Sequence, residues 1–188
     1  MEQELINIVV DKGLLSLIVL IAGYWLNKFS EFNKQSIALR NKIKESNREK
    51  ALSKTEKQLA NFYYPIYFRL QKDNAIWRLS PQLSNKRGKL PVEANEIIEN
   101  EFILKNHREI ITIIENNIQF IEVNEDLQAS INMYIKHFTV YDVVRKTEGL
   151  KHLNPIDFDA PFPKDFEKII KKNMILLQQS NNELLQTP

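Results

Sequence analysis

Hydrophobic and polar residues follow three different patterns along this chain. From Gly13 to Leu26 the run GLLSLIVLIAGYWL carries no charge, so no face of a helix built from it is reserved for water. From Asn27 to Phe62 apolar residues are sparse, at Phe29, Phe32, Ile37, Leu39, Ile43, Leu52, Leu59 and Phe62. Beyond Phe62 they return every three or four positions, as on the buried stripe of a packed helix. No alternating pattern of useful length occurs, and the sequence predicts an all-α protein.

Neither Pro nor Gly interrupts Leu26 to Phe62, so the apolar run is expected to continue into a long stalk helix. The stalk's spacing is too broken for the sustained heptads of a strong coiled coil. It ends in the densest aromatic cluster of the chain, Phe62-Tyr63-Tyr64-Pro65-Ile66-Tyr67-Phe68. Pro65 lacks a backbone donor and biases Tyr64 away from helical dihedrals, which predicts a kink or break, then a helix from Pro65 to Leu79. Ser80 to Leu90 reads as a loop on its Ser-Pro, Asn and Gly punctuation. Pro91 opens the next helix, with Glu93 and Glu96 in its first turns. A break is expected near Asn106 and His107, and a second piece through Ile121. Asn124 caps a helix whose inward stripe is Leu127, Ile131, Tyr134, Phe138, Tyr141 and Arg145, closed by Gly149. Residues 150 to 163, with Pro155, Pro161 and Pro163, read as an extended segment laying Phe158 and Phe162 on the bundle. A last helix from Lys164 to Leu185 repeats Phe166, Ile169, Ile170, Leu177 and Leu184. The predicted organisation is a transmembrane anchor over residues 1–26, a basic stalk helix over 27–62, and a helical domain of four to five helices over 63–188.

The membrane reading depends on length and flanks. Crossing about 30 Å of hydrocarbon takes roughly 20 helical residues. Leu5 to Leu26 supplies 22, interrupted by Asp11 and Lys12. A secretory signal would start basic and end in a small-x-small cleavage site, whereas here Glu2, Glu4 and Asp11 precede the core and no such triplet follows it. Tyr24 and Trp25 beside Asn27 and Lys28 fit the interfacial belt of a retained span. A core helix of a soluble protein is the competing account of so short a run.

Charge sets the orientation. Residues 27–58 hold nine Lys or Arg against four Glu, while residues 1–26 hold Lys12 against three acids. The positive-inside rule places the N-terminus outside and residues 27–188 in the cytoplasm. The basic excess then lies beside anionic headgroups, where each cation contributes about 1 kcal/mol. Residues 59–188 carry no basic surplus, which speaks against nucleic acid as a partner. The expected partners are the lipid bilayer through residues 5–26, a protein bound by the domain, and further copies of the chain. Apolar residues at 43% and charged ones at 27% fit a globular domain. The chain has no Cys, which removes disulfides, thiolate zinc sites and thiol nucleophiles.

Candidate chemistry is thin. Arg69 and Asp73 stand four apart, with Trp77 and Arg78 one turn on, and together they read as a partner surface or else as an ordinary surface pair beside core aromatics. Tyr134, His137, Tyr141 and Arg145, spaced 3, 4 and 4, form one polar stripe. No carboxylate lies one turn from His137, so the stripe reads as an anion or proton site or, more simply, as a satisfied core histidine. Glu96, Glu99 and Glu101 read as a solvated acidic face. Three His without H-E-x-x-H or E-x-x-H, four Gly without a phosphate-binding loop, and the lack of G-x-S-x-G predict no metal, no cofactor and no catalytic residue.

The stretches Asn61-Phe-Tyr-Tyr-Pro-Ile-Tyr67 with Leu70-Gln-Lys-Asp-Asn-Ala-Ile-Trp77, and Tyr134-Ile-Lys-His-Phe-Thr-Val-Tyr141 with Arg145, resemble a loose group of small bacterial membrane proteins. That group has one N-terminal span, a charged stalk helix and an aromatic-proline motif. The resemblance covers about a fifth of the chain and implies a bacterial inner membrane location, an accessory or sensor role in stress or phage defence, and no catalytic residue. The function expected is a membrane-anchored cytosolic helical interaction or sensing module. The alternative is an oligomeric, membrane-perturbing effector built on residues 5–60, with only Asp11, Lys12, Ser16 and Asn27 to line a pore.

Overall fold

The computed structural model describes residues 2–121 and 124–186. Every regular element among them is helical, the all-α class predicted. Helix α1 (Glu2–Gln58) takes in both the apolar run and the stalk. The chain divides into two compact units, Met1–Lys50 and Ala51–Pro188.

In the first unit every side chain from Gly13 to Gln35 is exposed. Leu15, Leu20, Trp25 and Leu26 each show about two-thirds of their surface. Among the described residues this is the one helix long and apolar enough to cross a membrane, and none of its apolar window is buried. Lys28 reaches back one turn to the Tyr24 hydroxyl, 3.4 Å away.

The second unit begins at Ala51, twelve residues before the predicted domain start at 63. The last turns of α1 belong to its core: Thr55 and Gln58 are buried, as is Leu59 just beyond, and Gln58 Nε2 donates to the Phe120 carbonyl at 2.9 Å. No break occurs at Pro65. A π-helical turn, Leu59–Tyr63, widens the ladder so that the Tyr64 N–H reaches the Leu59 carbonyl, five residues back. Pro65 then sits in the first turn of α2 (Tyr64–Arg87), where a missing donor costs least.

Helix α2 also runs through Pro81, where a loop was predicted, and ends at Gly88 with φ 79°. One proline deletes a single donor, and no further proline or glycine opposes the helix before Gly88 supplies the positive φ. A short α3 (Val92–Ile97) passes through a π-helical stretch, Ile98–Leu104, into α4 (Lys105–Asn116). The break expected near Asn106 and His107 is absent. Both residues are buried and helical.

Helix α5 (Glu125–Lys146) starts as predicted, with the Asn124 side chain accepting from the Leu127 N–H at 3.2 Å. Acids in its first turn and Arg145 and Lys146 in its last complement the helix dipole. Two 3₁₀ turns, Glu148–Leu150 and Pro155–Phe158, shape the connection to α6 (Phe166–Gln186). The main core joins Phe62, Tyr63, Ile66 and Leu70 to Ile110, Ile114, Leu127, Ile131 and Tyr134, closed by Phe166, Ile170 and Met174. The predicted stripe of α5 is inward, with Phe138 and Arg145 half-buried.

Candidate functional site

A cleft of about 480 Å³ opens in the second unit between α2, α4, α5 and the start of α6. Leu70, Asp73, Asn74 and Trp77 line it from α2, at positions i, i+3, i+4 and i+7 of one helix face. His107 enters from α4, His137 and Tyr141 from α5, and Phe162 from the connection before α6. The sequence stripe Tyr134, His137, Tyr141 and Arg145 therefore lies along this cleft and its flank. The set Arg69, Asp73, Trp77 and Arg78 does not form one surface.

Asp73 is buried, at 6% exposure. Its Oδ1 accepts from Asn106 Nδ2 at 2.7 Å, and the same amide donates to the Arg69 carbonyl at 2.7 Å. Arg69 turns the other way, donating from Nε to Glu109 Oε2 at 2.9 Å, so the i,i+4 pair with Asp73 does not exist. Trp77 and Arg78 are exposed, and Trp77 forms a wall of the cleft.

His107 is the residue that organises the interior, and the spacing argument passed over it. Its Nδ1 lies 2.5 Å from the Tyr134 hydroxyl, and its Nε2 lies 3.8 Å from Asp73 Oδ2. The Tyr134 ring stacks on Phe166 at 4.5 Å between centroids, fixing the hydroxyl. His137 Nδ1 lies 2.8 Å from the Ala160 carbonyl, an acceptor only, so this nitrogen carries the hydrogen and Nε2 keeps its lone pair. Asp159, at φ 52°, makes the left-handed turn that presents this carbonyl. At the cleft's flank Glu99 Oε1 accepts from the Tyr141 hydroxyl at 2.6 Å and from Arg145 Nε at 2.7 Å. Arg145 also donates from Nη1 to the Lys151 and Leu153 carbonyls. Glu99 is therefore a bound acceptor and not part of a solvated acidic face, while Glu96 and Glu101 are exposed as expected.

Burial governs the protonation of this interior. It pushes the Asp73 carboxyl up to about 6 against the opposing pull of the Asn106 hydrogen bond and Lys72. It pushes the His107 imidazole down to about 4, helped by nearby His137. His137 is lowered by burial, partly offset by the Ala160 carbonyl. Burial raises Tyr134, with the Asp73 charge adding to it, and raises Tyr141, with Glu99 adding to it. Near neutral pH the cleft therefore holds neutral imidazoles, protonated phenols and a carboxylate. Asp73 Oδ2 and Asn106 Oδ1 are buried without a hydrogen-bond partner. Among the described residues no three His, Asp or Glu converge as metal ligands.

The two shifts oppose each other in stability. A carboxyl raised in the folded state favours folding as pH falls from about 6 to about 4, because the native protein takes up the proton first. An imidazole lowered in the folded state does the reverse, and its contribution is lost as pH falls from 6.5 to about 4. At 1.36 kcal/mol per pH unit each effect is about 3 kcal/mol, so they nearly cancel. The variant Asp73→Asn keeps only the histidine effect. Relative to the parent it should become less stable by about 3 kcal/mol as pH falls from 6.5 to 4, read by urea unfolding at several pH values. A pH-independent difference between the two proteins would mean that folding leaves the pKa of Asp73 unshifted.

Comparison with protein-family models, with curated proteins and with solved structures finds no match to the chain.

Proposed function

We propose that this chain is a single-pass membrane protein, N-terminus outside, whose helical domain acts in the bacterial cytoplasm as a sensing or interaction module, with the cleft as its receiving site. The observation that carries this reading is the helix from Gly13 to Leu26, uncharged on every face and exposed at every residue. Soluble proteins rarely leave so large a contiguous apolar surface to water, and a bilayer is the solvent that suits it. Tyr24, Trp25 and Lys28 supply the interfacial flank, and the eight further cations up to Lys57 supply the cytoplasmic bias. An accessory role in stress or phage defence fits such a module, as the resembling bacterial group suggests.

A reporter fused after Pro188 tests the orientation. A fusion active only in the cytosol is expected, and alkaline phosphatase activity from the same junction would reverse the topology.

A further inference from the structure

The cleft is lined mainly by electron-rich groups, with Lys164 the cationic exception. Its walls are the rings of Trp77, Tyr141 and Phe162, its interior holds the Asp73 carboxylate, and His137 turns an imidazole lone pair away from the Ala160 carbonyl. At the mouth Lys164 and Glu167 carry opposite charges. Among the described residues Asp73 Oδ2 is the buried carboxylate oxygen there without a donor. A buried acceptor left unsatisfied costs about 1 to 3 kcal/mol, more when charged, and an incoming N–H group would recover that cost. Asp73 lines the cleft, and because the terminal torsion of an aspartate is broad, rotation of the carboxylate, at the expense of the Asn106 bond, is the motion by which Oδ2 would meet a guest. Aromatic faces carry negative potential and attract cations, most strongly where water is excluded.

We propose that this cleft binds a small organic cation with N–H donors, an amidinium or a primary ammonium, held by Asp73 and the His137 Nε2 lone pair beside the rings of Trp77 and Phe162. The inference rests on the cleft being a receiving site and not on the membrane anchor. Anions are disfavoured here because the Asp73 carboxylate repels them, the neutral imidazoles bring no positive charge, and Lys164 is matched by Glu167. A neutral guest would leave the Asp73 charge uncompensated.

Three probes of one shape separate these cases: benzamidine, benzamide and benzoate, titrated by calorimetry into the full-length protein in phosphatidylcholine nanodiscs, with empty nanodiscs as the blank. Benzamidine should bind at least tenfold more tightly than benzamide, and benzoate should not bind. Asp73→Asn should weaken benzamidine at least tenfold while leaving benzamide unchanged. Trp77→Ala, at an exposed wall where folding is little affected, should weaken benzamidine severalfold. Equal binding of benzamidine to the parent and to both variants would overturn the assignment. So would benzoate binding as tightly as benzamidine, or no binding of any probe. If benzamide or benzoate binds and Trp77→Ala abolishes it, the cleft remains a receiving site and only the cation class is lost.

Discussion

Replacing Leu17 and Leu20 together by arginine is expected to move the protein from the membrane fraction to the soluble or aggregated fraction. Between Gly13 and Leu26 the chain has eight Leu, Ile or Val residues. At about 0.3 to 0.6 kcal/mol each on insertion scales they favour the membrane by roughly 2 to 5 kcal/mol. Two arginines near mid-span oppose this with about 2.5 to 3.5 kcal/mol apiece and also remove two leucines. The penalty exceeds the gain of so short a segment, and no protein surface shelters the charges, since every side chain here is exposed. Carbonate extraction checks it. A double variant that stays in the pellet after extraction would show that another part of the chain holds the membrane.

Tyr134→Ala is expected to destabilise the helical domain by about 3 to 5 kcal/mol, the range for deleting a buried aromatic side chain. Tyr134 has no exposed surface, stacks on Phe166, meets Phe162 edge-on and provides the hydroxyl beside His107 Nδ1. Its loss opens a cavity and strands a buried imidazole nitrogen, two separate costs. A domain of ordinary stability, about 5 to 15 kcal/mol, would be left marginal or unfolded. Phe138, another aromatic of this stripe, is half-buried and should cost less. Thermal unfolding followed by circular dichroism distinguishes the two. Equal melting of the two alanine variants would mean that the Tyr134 contacts add nothing.

The helical class, the Asn124 cap and the inward face of α5 were legible because each depends on residues within one helix. The residues that build the cleft were only partly so. Asp73 falls on the stripe Phe62, Ile66, Leu70, and His107 falls between Ile103 and Ile110, both at core spacing. A polar residue at a core position is a visible signal of a buried network. Its partners are not visible, since Asp73 meets Asn106 33 residues away and only the packing of α2 on α4 brings them together. Glu99 looked solvated for the same reason, its partners Tyr141 and Arg145 lying 42 and 46 residues on. Pro65 and Pro81 misled in the opposite sense. A proline signals a local cost, and whether a helix continues through it depends on contacts elsewhere.

The connection from Glu148 to Pro163 forms one wall of the cleft, and side chains of α5 fasten it by its carbonyls: Arg145 to Lys151 and Leu153, His137 to Ala160. Lys136 adds an ion pair to Asp159, and Phe162 packs edge-on against His107, Tyr134 and His137, so the wall is held by side chains and its release needs no unwinding of α5. Such a segment opens at a free energy well below that of global unfolding. Its amide hydrogens should therefore exchange with solvent long before those of α2 or α5. On the proposed reading of the cleft as a receiving site, release of this fastening is the motion that would widen it, with the helices left in place.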